Sequence, residues 1–116
     1  MSFVIEQSPT YKFPVRLKIR REDGGVAEHK FHAVFKRMSE SEVKAMIDSP
    51  EYGDPFVVQQ TLKGWEGVTA PDRTPLPFEP ATLAALQEVA GARAAIVRAF
   101  FQSLDTESAE AAELGN

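Results

Sequence analysis

Residues 13–19 alternate cleanly, with Phe13, Val15, Leu17 and Ile19 on one side and Pro14, Arg16 and Lys18 on the other. Successive side chains of a strand point to opposite faces, so this run reads as a strand with one buried face. Glu22-Asp23-Gly24-Gly25-Val26 follows as a hairpin turn, and a second run extends from Val26 to Lys36. A two-stranded ribbon with one apolar face is marginal in water and must bury that face under a second layer. The remainder of the chain supplies helical patterns to do so, which makes the expected class α+β. The expected architecture is an N-terminal antiparallel β-hairpin or small sheet packed on a three- to four-helix C-terminal unit.

Parity restricts the turn. A two-residue loop, Asp23-Gly24, sets Leu17 opposite Lys30 and Ile19 opposite Glu28, which mixes the faces. A three-residue loop, Asp23-Gly24-Gly25, sets Ile19 against His29, Leu17 against Phe31, Val15 against Ala33 and Phe13 against Phe35. The second arrangement keeps the large apolar groups together, so a three-residue loop with a glycine at positive φ is expected. It places Arg20 opposite Glu28 and Lys18 opposite Lys30. Pro14 has no N–H for a ladder, which puts this part of the strand at an edge or starts the strand after it. Upstream, Phe3-Val4-Ile5 is a short apolar run ending at Ser8-Pro9, a first strand or an ordered arm.

Ser39-Glu40-Ser41-Glu42 is a capping box, with Met38 and Val43 placed to form a hydrophobic staple. It predicts a helix from Glu40 to Asp48 with Val43, Met46 and Ile47 buried, closed by Ser49-Pro50. Asp54-Pro55 signals a second helix, with Asp54 as cap. Val58, Leu62 and Trp65 would share its face and Gly64 its C-terminal turn, although Val57-Val58 leaves strand open. Residues 68–79 are a loop, whose Pro75-Leu76-Pro77-Phe78 should be extended because each proline fixes its own φ and biases the residue before it. Pro80 opens a helix to about Ala90 with Leu83, Leu86 and Val89 or Ala90 inward. Gly91 breaks it, since glycine mid-helix costs about 1 kcal/mol relative to alanine. The last helix, Ala92 to Leu104, carries Ile96, Val97, Phe100, Phe101 and Leu104 as a wide apolar stripe. Residues 1–104 are read as one domain, and 105–116 as an acidic tail that frays into disorder.

The chemistry is sparse. Cysteine is absent from the 116 residues, which excludes disulfides and thiolate metal sites and agrees with a cytoplasmic location. Net charge is −4, with an isoelectric point near 5.2, so general nucleic-acid affinity is not expected. No apolar run approaches the ~20 residues of a membrane span, and the start lacks the pattern of a signal peptide. His29 and His32 are the only imidazoles, and their spacing on a strand sends them to opposite faces, where they cannot jointly hold a metal. No acid–base pair or nucleophile triad is set by spacing, so no catalytic residue, cofactor or metal is expected. Asp23-Gly24-Gly25 precedes a strand rather than a helix and is a turn, not a phosphate loop.

Two clusters remain. Arg16, Lys18, Arg20 and Lys30, with Arg21, Lys36 and Arg37 nearby, make a basic sheet face in an acidic protein. Such a face is either simply solvated or an electrostatic docking surface for an acidic partner or, less favoured because no aromatic residues interleave with the charges, for nucleic acid. Trp65, Leu76, Phe78, Phe100 and Phe101 form the other. They are either core or, in part, anchors for a partner segment; packing of Trp65 and Phe78 onto Val97, Phe100 and Phe101 would hold the loop rigid.

From about Phe31 to Leu104 the chain resembles the tail assembly chaperones of long-tailed bacteriophages and prophages. The residues that carry the resemblance are Phe35-Lys36-Arg37, the helix Ser39 to Asp48, Gly64-Trp65-Glu66-Gly67-Val68, Pro75-Leu76-Pro77-Phe78 and Ala94 to Phe101. Their order, a W-x-G-V, a short polar loop, a P-L-P-F and a closing A-F-F-x-S-L helix, is more specific than any one piece. Arg73-Thr74 stands where the family more often has a Gly-containing turn. The resemblance implies a binding protein rather than an enzyme. Its partners would be the tape-measure protein and the tail-tube protein, which it brings together before leaving the finished virion. It also implies that a longer product can arise by frameshifting near the end of the short one. A homo-oligomer is compatible with it. The rival reading is a small bacterial interaction or regulatory module without catalytic activity.

Overall fold

The computed structural model describes residues 2–106. In chain order the elements are β1 (Thr10–Arg20), β2 (Val26–Lys36), α1 (Glu40–Asp48), α2 (Asp54–Thr61), β3 (Leu62–Glu66), α3 (Pro80–Glu88) and α4 (Ala92–Leu104). The strands form one antiparallel sheet in the order β1-β2-β3. The fold is α+β, as the patterning requires.

Phe13, Val15 and Leu17 of β1 and Phe31, Ala33 and Phe35 of β2 face the core, where they meet Val57 and Val58 of α2 and Ala92, Ala95, Ile96, Ala99 and Phe100 of α4. Burying one large apolar side chain is worth about 1.5–3 kcal/mol, so this single layer carries most of the stability. Thr61 is the one buried polar side chain among the described residues, and its hydroxyl donates to the Val57 carbonyl at 2.8 Å. Tyr11 Oη and Ser103 Oγ, 2.7 Å apart, tie β1 to the end of α4.

The hairpin has the expected faces but a different register. Val15 pairs with Phe31, Phe13 with Ala33, Lys18 with Glu28 and Arg16 with Lys30, two residues from the predicted ladder. Arg21 N–H donates to the Gly25 carbonyl and Gly24 N–H to the Arg21 carbonyl, so the three loop residues are Glu22, Asp23 and Gly24. Gly24, at φ 90°, takes the left-handed position that glycine tolerates best. Asp23 decides the placement: its Oδ1 accepts the Gly25 N–H at 2.8 Å, leaving Gly25 to close the ladder. Parity could not see this, because a two-residue shift preserves every face. Ladder bonds at both ends involve odd positions, Arg21 with Gly25 and Arg37 with Pro9. Pro14, an even position, therefore turns its bare nitrogen to the open edge, and the strand runs through it. Ile19 is 36% exposed, because the hairpin tip projects beyond the helical layer.

The second helix also departs from expectation. It is capped by Gly53, with Asp54 and Pro55 in its first turn, and it ends at Thr61. Leu62 and Trp65 belong to β3 instead, opposite Phe35 and Ala33. A bulge at Lys63 lets these two residues, three apart, face the same side of the sheet. That spacing is what imitated a helix.

Helix α1 begins and ends where predicted, with both halves of the Ser39–Glu42 capping box formed. Of its expected stripe only Met46 is buried; Val43 is half-buried and Ile47 is 43% exposed. Helix α3 stops at Glu88, buries no residue fully, and leaves Val89 and Ala90 exposed. Gly91, at φ 86°, separates it from α4 as expected. In α4 the alanines 92, 95 and 99 join Ile96 and Phe100 in the core, while Leu104 is 42% exposed. Small side chains let the helix lie close on β1. Phe3-Val4-Ile5 forms no strand and is exposed. Asp105 and Thr106 are exposed, and the rest of the expected acidic tail lies outside the described residues.

Candidate partner-binding surface

Strand β3 delivers Trp65 to the margin of the core, where it is half-buried. The chain then turns at Gly67, whose φ of 92° is left-handed and whose α-carbon side approaches Phe31. A β-carbon there would be strained whatever the space. Beyond it the loop folds back on itself as a small hairpin. Leu76 N–H donates to the Val68 carbonyl at 2.9 Å, and Ala70 N–H to the Thr74 carbonyl at 2.9 Å. The turn between them places Arg73 at φ 69°, where the resemblance leads one to expect a glycine. Asp72 Oδ1 accepts the Thr74 N–H at 3.0 Å. Hydrogen bonds from the Thr74 side chain and then its backbone hold the Asp72 carboxyl below its usual pKa.

The returning arm closes on the indole. Trp65 Nε1 donates to the Leu76 carbonyl at 2.9 Å. The Phe78 ring stands edge-on to the Trp65 ring, with centroids 4.9 Å apart and an interplanar angle of 82°. This geometry suits the ring quadrupoles and is worth about 0.5–1.5 kcal/mol beyond burial. Trp65, Leu76 and Phe78 are all half-buried, so each keeps part of its apolar surface in solvent.

The five aromatic and apolar residues singled out from the sequence do not form one patch. Phe100 is fully enclosed and meets Phe35 at 5.4 Å and Phe101 at 5.3 Å, edge-on in both cases. It is core and offers a partner no surface. Phe101 is half-buried beside it. The surface unit is Trp65, Leu76 and Phe78, with Val68 and Phe101 partly buried against the same core. The sequence marked Val68 and the Arg73 position only through the resemblance; that the Val68 carbonyl anchors the loop and that Arg73 itself takes the left-handed turn position came from the structure.

The basic residues do gather on one side. Lys12, Arg16, Lys18 and Arg20 of β1 and Lys30 and Lys36 of β2 share the sheet face opposite the core, together with Glu28 and Glu66. Several are partnered: Lys12 with Glu66 at 2.7 Å, Arg16 with Glu28 at 3.7 Å and Lys36 with Glu42 at 2.9 Å. These pairs are exposed or partly so and individually contribute little. Lys12 lowers the pKa of Glu66 through its hydrogen bond and charge. His29 and His32 fall on opposite faces, and no group of three or more metal-ligating side chains occurs among the described residues. No helix among the described residues is long and apolar enough to cross a membrane.

The chain matches no protein-family model, no curated protein and no solved structure.

Proposed function

We propose that this chain is a tail assembly chaperone of the long-tailed bacteriophage type, a non-catalytic binding protein acting in the host cytoplasm. It holds an apolar segment of the tape-measure protein, helps recruit tail-tube subunits around it, and leaves before the virion is complete. The observation that supports this reading is convergence. The W-x-G-V and P-L-P-F motifs, separated by a polar loop, meet through the Trp65–Leu76 hydrogen bond, the Leu76–Val68 hydrogen bond and the Trp65–Phe78 ring pair. A pre-ordered loop with half-exposed aromatic and leucine side chains loses little conformational freedom on binding, which favours affinity. The basic face, Arg16, Lys18, Arg20 and Lys30, is a second contact that would steer an acidic partner surface.

The test is a search of the genes beside this one for a tape-measure protein and a tail-tube protein, then co-expression with them and pull-down on this chain. The wild type should retain the tape-measure protein, and Trp65→Ala should lose it while keeping its far-UV circular dichroism spectrum. A wild type that retains neither protein refutes the chaperone reading. Retention unchanged by Trp65→Ala moves the contact away from the loop.

A further inference from the structure

An apolar arm is rooted next to an apolar groove in this chain, and neither is filled by the other. The arm is Phe3-Val4-Ile5, with exposures of 80%, 65% and 85%. The groove, about 510 Å³, lies between α1 and the end of α4 and is floored by Met38, Val43, Ile47 and Leu104. Glu40, Lys44 and Asp48 complete its lining, with Lys44 Nζ 2.6 Å from Asp48 Oδ2. An apolar floor inside a charged rim is the anatomy of a protein interface.

We propose that Phe3, Val4 and Ile5 of one chain seat in this groove on a second copy, reciprocally, making a two-fold dimer by arm exchange. The root of the arm decides the geometry. Arg37 N–H donates to the Pro9 carbonyl at 2.8 Å and Arg37 Nε to the Ser8 carbonyl at 2.7 Å, which pins the arm beside Met38. From Ser8 the five residues back to Phe3 reach at most about 17 Å. Because the root adjoins the groove, a two-fold axis near Met38 brings both roots next to both grooves, and a short arm suffices. Within one chain the arm stands clear of the groove although it starts beside it. Reciprocity also supplies the area. Counting up to ~200 Å² for a large apolar side chain, two arms and the groove walls they cover bury on the order of 1,000 Å² in total, the lower bound of a specific interface.

The chain has no cysteine, so introduced thiols report without background. Ser2→Cys marks the arm and Lys44→Cys marks the groove rim, and neither removes an apolar contact. Mixed together and treated with a short bismaleimide, the two variants should give a cross-linked heterodimer, while each alone stays largely monomeric on a denaturing gel. Absence of that heterodimer, or equal coupling within each variant alone, overturns the proposal. So does a Ser2→Cys/Lys44→Cys chain that couples only within itself at high dilution and in concentrated solution alike, since that places the arm in its own groove. Sedimentation provides the second readout. The wild type should be dimeric at high micromolar concentration and Phe3→Asp/Ile5→Asp monomeric, with an unchanged far-UV spectrum. A monomeric wild type, or a variant that still dimerises equally well, also overturns it.

Discussion

Two sets of rings in this molecule use the same chemistry and are held in opposite ways. Tyr11, Phe35, Phe100 and Phe101 run in a row, with successive centroids 6.2, 5.4 and 5.3 Å apart. They come from β1, β2 and α4, elements far apart in the chain, and exclusion of water is what brings them together. Trp65 and Phe78 come from one strand and the loop after it, and a backbone hydrogen bond from the indole fixes their meeting. The middle of that row, Phe35 and Phe100, is fully enclosed and can be offered to nothing without opening the core. The outer pair is ordered by local bonds and still half in solvent, so it can be both structured and available. Aromatic content alone therefore does not separate core from accessible surface; burial does.

The largest effect is expected at Phe100. Phe100→Ala should cost about 3–5 kcal/mol, the range for a fully buried ring, read as a lower urea midpoint. That is a large part of the ~5–15 kcal/mol that holds a domain of this kind. A cost under about 1 kcal/mol would mean the inner row is not what holds α4 to the sheet. Trp65→Ala should cost less, about 2 kcal/mol, because half of its surface is already wet and one partly buried hydrogen bond is lost. If the two variants are equally destabilised, the outer pair is simply more core and its claim as a partner surface weakens.

The same distinction explains how much of the fold was legible in the sequence. The faces of β1 and β2, the limits of α1 and α4 and the break at Gly91 follow from local signals: alternation, a capping box, a glycine between two apolar stripes. Register did not, because it turned on one hydrogen bond, donated by Gly25 N–H to Asp23 Oδ1, that parity cannot weigh. Strand β3 was hidden because the bulge at Lys63 gave Leu62 and Trp65 a helical spacing, while the force that makes them a strand is the unpaired edge of β2. Of the candidate site, the meeting of Trp65 with Phe78 was legible only as shared composition of one loop. Phe100 was grouped with them because burial on a wide helical stripe depends on which side the sheet lies, and the stripe alone does not say. The alanines at 92, 95 and 99, which lie on the sheet, passed as filler.

A smaller effect is expected at the tip of the outer loop. Arg73 holds a left-handed φ of 69° at the tip of the loop hairpin, a conformation that strains any residue with a β-carbon. Arg73→Gly should relieve that strain and stabilise the protein by about 0.5–1 kcal/mol, after allowance for the greater freedom glycine gains in the unfolded chain. The gain belongs to the loop, so the urea midpoint should rise while the row around Phe100 is untouched. Double substitution with Phe100→Ala should then be additive within about 0.5 kcal/mol. Strong coupling would show that the loop and the inner row order one another.

The smallest effect is a titration confined to the loop. The Asp72 carboxyl accepts hydrogen bonds from Thr74, side chain first and backbone second, and these lower its pKa from an ordinary 3.8. A folded pKa below the unfolded one means that the carboxylate stabilises the turn above about pH 3.8, and that this contribution is lost as pH falls through the lower folded value. Trp65 is the only tryptophan, and its indole is bonded to the returning arm of the same loop. Its emission should therefore shift to longer wavelength as the pH falls below about 3.8. Two other carboxylates complicate the same range. Glu66, beside Trp65 in the chain, is lowered by Lys12, and Glu42 is lowered to about 2 by the Ser39 backbone N–H and then Lys36. Asp72→Asn separates them, since it removes only the loop's charge. The variant should lose the Asp72 component of the fluorescence titration while helix content, followed by circular dichroism, titrates as in the wild type. If fluorescence and circular dichroism move together in both proteins, the loop does not loosen ahead of the core, and the two sets of rings are one cooperative unit after all.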